Sequence, residues 1–171
     1  CEEFKDNPED SETYKCPIHQ KNLEWKNEEN LFFRLSKYQE EIEKIINEPS
    51  FIEPIERRNE IINFVSRGLK DFSISRTNIS WGITVPDHDN HTFYVWFDAL
   101  LGYVSAISSN ETDNLLENSI NGGWPADIHL IGKDILRFHA VYWPAMLISA
   151  GMRVPKKVLG HGFLTREGQK M

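Results

Sequence analysis

The chain has 171 residues, 40% apolar and 12% aromatic, enough for a packed core of one domain or parts of two. Its apolar stretches are broken by Gly, Pro or charge well short of the ~18–20 residues a membrane span needs, and two cysteines are too few for a disulfide framework. The net charge of −7 lies in residues 1–60, with 9 basic and 16 acidic side chains; residues 61–171 hold 10 of each, so neither part offers the basic surface that grips nucleic-acid phosphates.

Residues 1–29 are polar and acidic with no sustained period, and read as a small loop-rich element. Residues 30–70 read as two helices. Asn30 is placed to cap the first, and Leu31, Leu35, Tyr38, Ile42, Ile45 and Ile46 keep helical spacing. Pro54 suits the first turn of the second, Ile55, Ile61, Ile62, Val65 and Leu69 give its apolar face, and Gly68 ends it. From residue 71 the style changes. Residues 72–76 and 81–86 are short extended segments, 87–90 a turn, 92–97 an aromatic and β-branched run expected to be a buried strand, and 98–107 a helix. A polar loop over 108–123 leads to a strand at 128–131, a tight turn at Gly132-Lys133, a helix over 134–150 stopped by Gly151, and a strand at 157–160. Strand–helix–strand–helix–strand with short links predicts parallel strands joined by right-handed crossovers, half of a doubly wound α/β sheet.

Ligands of an open parallel sheet bind beyond the carboxyl ends of its strands. At one such end stands Gly132-Lys133-Asp134. Gly132 lets a ligand approach the backbone, and Asp134 at a helix start serves either as a simple N-cap or as an acceptor for ribose hydroxyls. The glycine patterns of dinucleotide folds and of P-loops are both missing. Ile135, His139 and Trp143 recur every four residues on one helix face, with Trp96 and Tyr103 near the neighbouring turn. Such rings either wall a slot for a flexible apolar side chain, favouring a thioether sulfur, or simply pack the core. Farther on, the Gly-containing stretch from His161 through Leu164 to Lys170 carries basic groups toward the same edge, as a mobile phosphate-meeting loop or a solvated hairpin. Cys16 and His19 have metal-ligand spacing, with Cys1 fifteen residues before Cys16. Tetrahedral zinc needs four ligands, so zinc and unligated thiols both stay open.

Taken in order, several segments resemble the methionyl-tRNA synthetases, class I aminoacyl-tRNA synthetases with a Rossmann-like catalytic fold. They include Arg67-Gly68-Leu69-Lys70-Asp71, Ser73-Ile74-Ser75-Arg76, Tyr94-Val95-Trp96-Phe97-Asp98-Ala99, Ile131-Gly132-Lys133-Asp134, Tyr142-Trp143-Pro144 and His161-Gly162-Phe163-Leu164-Thr165. The resemblance covers nearly the whole chain. It implies an α/β fold, the second half of a Rossmann-like parallel sheet, preceded by the end of a connective insertion with two helices. Residues 1–29 would close that insertion as a zinc-knuckle-like piece, 30–70 would lead back, and 71–171 would form the half-fold. The ends at Cys1 and Met171 fit an internal segment of a longer protein.

Carried over residue by residue, the methionine pocket implies Trp96, Ala99, Leu100 (where the family often has proline), Tyr103, Ile135, His139 and Trp143. The ATP side implies Gly132, Asp134, His161 and Leu164, and Lys170, the catalytic candidate of this chain, would open the Lys-Met-Ser-Lys-Ser loop, whose second lysine, not in this chain, would stabilise the transition state. Cys1, Cys16 and His19 would be the zinc candidates. Implied partners are methionine, ATP with Mg²⁺, and initiator and elongator methionine tRNA, held mainly by regions outside this chain; no membrane is implied. The expected compartment is the cytoplasm, with an organellar matrix or stroma as the other setting. Two rival readings are a class I synthetase for leucine, isoleucine or valine, and a non-catalytic zinc-stabilised RNA-binding or interaction module.

Overall fold

In the computed structural model, which describes residues 15, 20–22, 28–77, 79, 81–108, 114–167 and 169–170, the chain enters as strand β1 (Phe32–Phe33) and not as a helix. The expected start at Asn30 is therefore corrected. Long-range partners hold residues 31–33 extended: β1 pairs antiparallel with β3 (Phe72–Ser73), Ile74 N–H donates to Leu31 O, and Leu31 N–H donates to Ser75 Oγ. A 3₁₀ turn at Leu35–Tyr38 then leads into α1 (Gln39–Asn47), whose Ile42 and Ile46 are buried. After strand β2 (Ile52–Glu53) comes α2 (Ile55–Val65), capped at Pro54; Gly68 follows at φ +86°, a conformation natural only to glycine.

The next unit is an antiparallel sheet of β4 (Ser75–Arg76), β5 (Thr84–Val85) and β6 (His88–Phe93), in the order β4-β6-β5. Here two expectations are corrected. Most of residues 87–90 belongs to β6, with the turn at Pro86-Asp87, and the aromatic run leaves the strand at Phe93. Helix α3 (Val95–Ser105) already contains Val95, Trp96 and Phe97. A short apolar run does not reveal its period; here Phe93 and Phe97, four apart, stack at 5.3 Å across the helix entrance. Within the expected polar loop lies a third departure, α4 (Leu115–Asn121), whose cap Asn114 accepts a bond from Glu117 N–H.

The expected parallel sheet is present. Strand β7 (His129–Gly132) and strand β8 (Val158–His161) pair parallel across a helical crossover ending in α5 (Trp143–Ser149), stopped at Gly151 with φ +69°. The third parallel strand is not the aromatic run but β2, which pairs with β8 on its other side, giving the order β2-β8-β7. Register puts Ile52, Val158 and His129 in one row, all buried, with Ile131 farther along the same face. Ile52, Ile131 and Val158 form a core with α1, α2 and the crossover helix. Each such fully buried aliphatic contributes about 1.5–3 kcal/mol. A second core joins Leu100 and Val104 of α3 to Trp124, Trp143, Met146, Leu147 and Met152. Leu130 lies on the opposite sheet face, 66% exposed. The chain ends in a small hairpin of β9 (Thr165–Arg166) and β10 (Gln169–Lys170).

The crossover is not one uniform helix over 134–150. It begins as a 3₁₀ turn (Lys133–Ile135), widens to a π turn (Phe138–Tyr142), and only then becomes α5. Ile135, His139 and Trp143 therefore do not share one face as their spacing suggested. Ile135 packs against the first core, whereas Trp143 belongs to the second.

Candidate functional site

Strands β7 and β8 run in register, so Gly132 lies opposite His161 and both mark the carboxyl edge of the sheet. Gly132 has φ −69°, open to any residue, so its backbone angles do not call for glycine. A Cβ there would come within 2.6 Å of Asp134 Oδ1. The close approach expected of a ligand is thus already made by the chain's own carboxylate, which curls back over the strand end. Asp134 is not the side-chain cap of the turn; the cap position is Gly132, with no side-chain cap bond. Beside Asp134 opens a cleft of about 370 Å³ lined by Glu60, Lys133, Asp134, Arg137, Phe138 and Tyr142. It carries both signs of charge and two aromatic rings.

The loop after β8 reaches back to this turn, with the Lys133 ammonium 4.7 Å from the Phe163 ring centre. His161 is exposed and Leu164 is 69% exposed. Lys170 pairs with Thr165 across the terminal hairpin.

Behind the turn lies an aromatic cluster. Tyr103 Oη is 2.9 Å from His139 Nε2, and His139 Nδ1 is 3.0 Å from Ile135 O. A carbonyl can only accept, so Nδ1 carries the imidazole proton and Nε2 accepts from the tyrosine hydroxyl. Burial pushes the His139 pKa below its ordinary value and the Tyr103 pKa above its own, so both groups stay neutral. Trp143, fully buried, donates its indole N–H to His129 Nε2 at 3.3 Å. Tyr103 also lies 6.3 Å from the Trp143 ring.

Of the remaining candidates, Trp96 is half-buried and stacks on Phe138 at 4.2 Å and 14°. Ala99 is exposed, and Leu100, 2% exposed, is a core residue of the second cluster. The structure thus joins Tyr103, His139 and Trp143 directly, sets Trp96 beside them through Phe138, and keeps Gly132, Asp134 and His161 at the sheet edge. Cys1, Cys16 and His19 lie outside the described residues. Among the described residues, no group of three His, Cys, Asp or Glu is placed to hold a metal, and no helix is long and apolar enough to cross a membrane.

Sequence reasoning missed His129 and Trp124. His129 is 5% exposed, with its ring centre 4.5 Å from Tyr103, 5.7 Å from His139 and 6.1 Å from Trp124. Burial and the neighbouring His139 hold its pKa down at about 4. The signal was available. Alternation along β7 puts His129 on the same face as the buried Ile131, and an ionisable residue in a buried row invites a question.

Comparison with known proteins follows the same lines. A methionine–tRNA ligase of Nostoc sp. is 60% identical over 173 residues, covering 100% of this chain and 33% of that protein. The chloroplastic/mitochondrial methionine–tRNA ligase of Arabidopsis thaliana is 56% identical over 172 residues, covering 100% of this chain and 28% of its own length. Among solved structures, the Mycobacterium tuberculosis methionyl-tRNA synthetase in complex with methionyl-adenylate superposes with a TM-score of 0.79 at 46% identity, over 94% of this chain and 32% of that one. The chain spans about a third of the length of these relatives. A family model described as tRNA synthetases class I (M) matches residues 1–171, and the chain belongs to that family.

Proposed function

We propose that this chain is a segment of a methionine–tRNA ligase and carries the methionine slot and part of the ATP site. The observation that carries the reading is the neutral cluster of Tyr103, His139 and Trp143 behind a strand edge bearing Asp134. Methionine is apolar at its thioether end and charged at its other end, and it becomes joined to an adenylate whose ribose offers hydroxyls. Aromatic faces and edges attract a thioether sulfur by roughly 0.3–1.5 kcal/mol each. A neutral tyrosine–imidazole pair adds polarity at the rim without a buried charge. The M. tuberculosis neighbour, similar at 46% identity, is described with methionyl-adenylate bound, which supports the same ligand here.

In this reading Trp96, Ala99, Tyr103, His139 and Trp143 form or border the slot, Ile135 reaches it through the carbonyl oxygen that holds His139, and Leu100 supports it from the core. Asp134 takes the ribose hydroxyls, Gly132 leaves room for its carboxylate, and His161 and Leu164 border the adenosine. The methionine carboxylate attacks the α-phosphate of ATP, forming methionyl-adenylate and releasing pyrophosphate. A ribose hydroxyl at the tRNA 3′ end then attacks the acyl carbon, and AMP leaves. Catalysis is positioning and stabilisation of developing charge, to which Lys170 contributes as the first cation of its loop. Mg²⁺ travels with ATP as part of the substrate. The tRNAs are the initiator and elongator methionine acceptors, gripped mainly by parts of the protein beyond this chain. In this reading residues 1–29 belong to the connective insertion, 30–70 lead back, and 71–171 form the second half of the catalytic fold; Cys1, Cys16 and His19, outside the described residues, offer three of the four ligands that zinc needs. The compartment is the cytoplasm or the interior of an organelle.

Methionine-dependent ATP–pyrophosphate exchange by the complete ligase tests this. His139→Ala or Trp96→Ala raises the methionine KM by roughly ten- to a hundredfold, the range expected for removing a slot wall. An unchanged methionine KM in both variants overturns the slot, and exchange driven by leucine, isoleucine or valine in place of methionine overturns the substrate.

A further inference from the structure

The mechanism above makes no use of His129, although it sits at the centre of the cluster. It occupies a sheet row whose other members, Ile52 and Val158, are apolar and buried. An imidazole in such a row loses its hydration, and among the described residues the chain offsets that loss with one hydrogen bond, from Trp143 Nε1–H at 3.3 Å. Since Nε2 accepts, the neutral ring carries its proton on Nδ1. Around it the Tyr103 ring is tilted 58° at 4.5 Å, the His139 ring meets it edge-on at 5.7 Å, and Trp124 lies at 6.1 Å.

We infer that His129 is a positioning residue of the amino-acid slot: it anchors the Trp143 indole through Nε2 and backs the Tyr103 ring, so that the tyrosine hydroxyl stays on His139. The inference deepens the ligase reading and rests on it. His129 touches neither the reacting carboxylate nor ATP, and acts only through Trp143 and Tyr103. Bulk alone does not suffice for this role. Phenylalanine would fill the space and leave the Trp143 N–H buried without an acceptor. Glutamine places its amide oxygen where Nε2 stands, whereas asparagine reaches only the Nδ1 position.

The experiment is pyrophosphate exchange in the complete ligase, with methionine and ATP varied separately. His129→Phe is expected to raise the methionine KM about tenfold, the effect of one buried donor left unpaired, with kcat and ATP KM within about twofold. His129→Gln is expected to stay within about threefold of wild type, because the acceptor is retained. The indole ¹⁵N–¹H signal of Trp143, assigned with Trp143→Phe, should move in the Phe variant and hold in the Gln variant. An unchanged methionine KM in His129→Phe overturns the inference, and so does a parallel rise in ATP KM. Where the Phe variant does not fold, Asn against Gln decides: Asn must show the loss that Gln does not, and equal behaviour of the two overturns the assignment. A wild-type ligase with no methionine-dependent exchange refutes the ligase reading itself, a result distinct from all of these.

Discussion

Replacing Tyr103 by phenylalanine removes one atom and isolates the contact on which the slot's polarity depends. The hydroxyl donates to His139 Nε2 at 2.9 Å, and the His139 side chain is 1% exposed. Without it, the imidazole keeps, among the described residues, only its bond to Ile135 O, and Nε2 is left with no donor. Tyr103 itself is 39% exposed, so in the empty slot a water can enter and satisfy the nitrogen. Methionine must expel that water, and the thioether is too weak an acceptor and no donor. The cost of the unpaired nitrogen, about 1–3 kcal/mol, therefore falls on the bound state, which is roughly a fivefold to hundredfold rise in methionine KM. The ATP KM and the melting temperature should change little, because neither Asp134 nor the two cores is disturbed. Steady-state pyrophosphate exchange with each substrate varied, together with a thermal melt, measures all three. An unchanged methionine KM, or an ATP KM that rises in step, refutes the reasoning.

Gly132→Ala is expected to leave folding within about 0.5 kcal/mol, since φ −69° suits alanine, but to push the Asp134 carboxylate away from a Cβ that would otherwise sit 2.6 Å from it. ATP KM rises and methionine KM does not; equal shifts in both would mean that Asp134 has no ribose role. For pH, His129 falls from the ordinary 6.5 to about 4 in the fold, and His139 is lowered as well. Between those values the unfolded chain binds more protons than the folded one, so the stability is complete above about pH 6.5 and is lost as pH falls toward 4, by roughly 3 kcal/mol for His129. Across that window wild type should lose stability relative to His129→Gln on acidification, since glutamine does not titrate; parallel curves refute it.

What the sequence allowed to be read follows from where each signal resides. Strands β7 and β8 lie within a residue of their expected bounds because a short apolar stretch, a turn and a long helix carry the pattern locally, and Gly68 and Gly151 end their helices as positive-φ residues. Strand β2 was invisible. Two residues between helices carry no period, and Ile52 is a strand only because Val158 lies beside it, more than a hundred positions later. Phe32 and Phe33 fit a helical stripe until Phe72 and Ser73 offer them a ladder. At the head of α3, Phe93 through Phe97 had the composition of a strand, and the stacking of Phe93 on Phe97 shows which period prevailed. The cap Asn114 with Glu117 is a local helix signal, masked by the polar stretch in which it lies.

The site was legible as a set of residue types but not as a circuit. Ring residues at helical spacing predicted contact among Ile135, His139 and Trp143, yet the 3₁₀-to-π transition turns Ile135 toward the other core. The cluster is completed from a strand instead, by His129, and its logic is that the polar hydrogens of Tyr103, His139 and Trp143 are consumed within the wall. Tyr103 donates to His139, His139 to Ile135 O, and Trp143 to His129. Those three side chains offer neither charge nor a free strong donor to a branched aliphatic or a thioether, so shape and polarisability decide between them. The same strand that holds His129 ends three residues later at Gly132, about 10 Å along a β-strand. A rigid element thus fixes the distance between the ring cluster and the Asp134 carboxylate, and in the proposed reading a ligand apolar at one end and carrying a nucleoside at the other is the kind of molecule that distance selects.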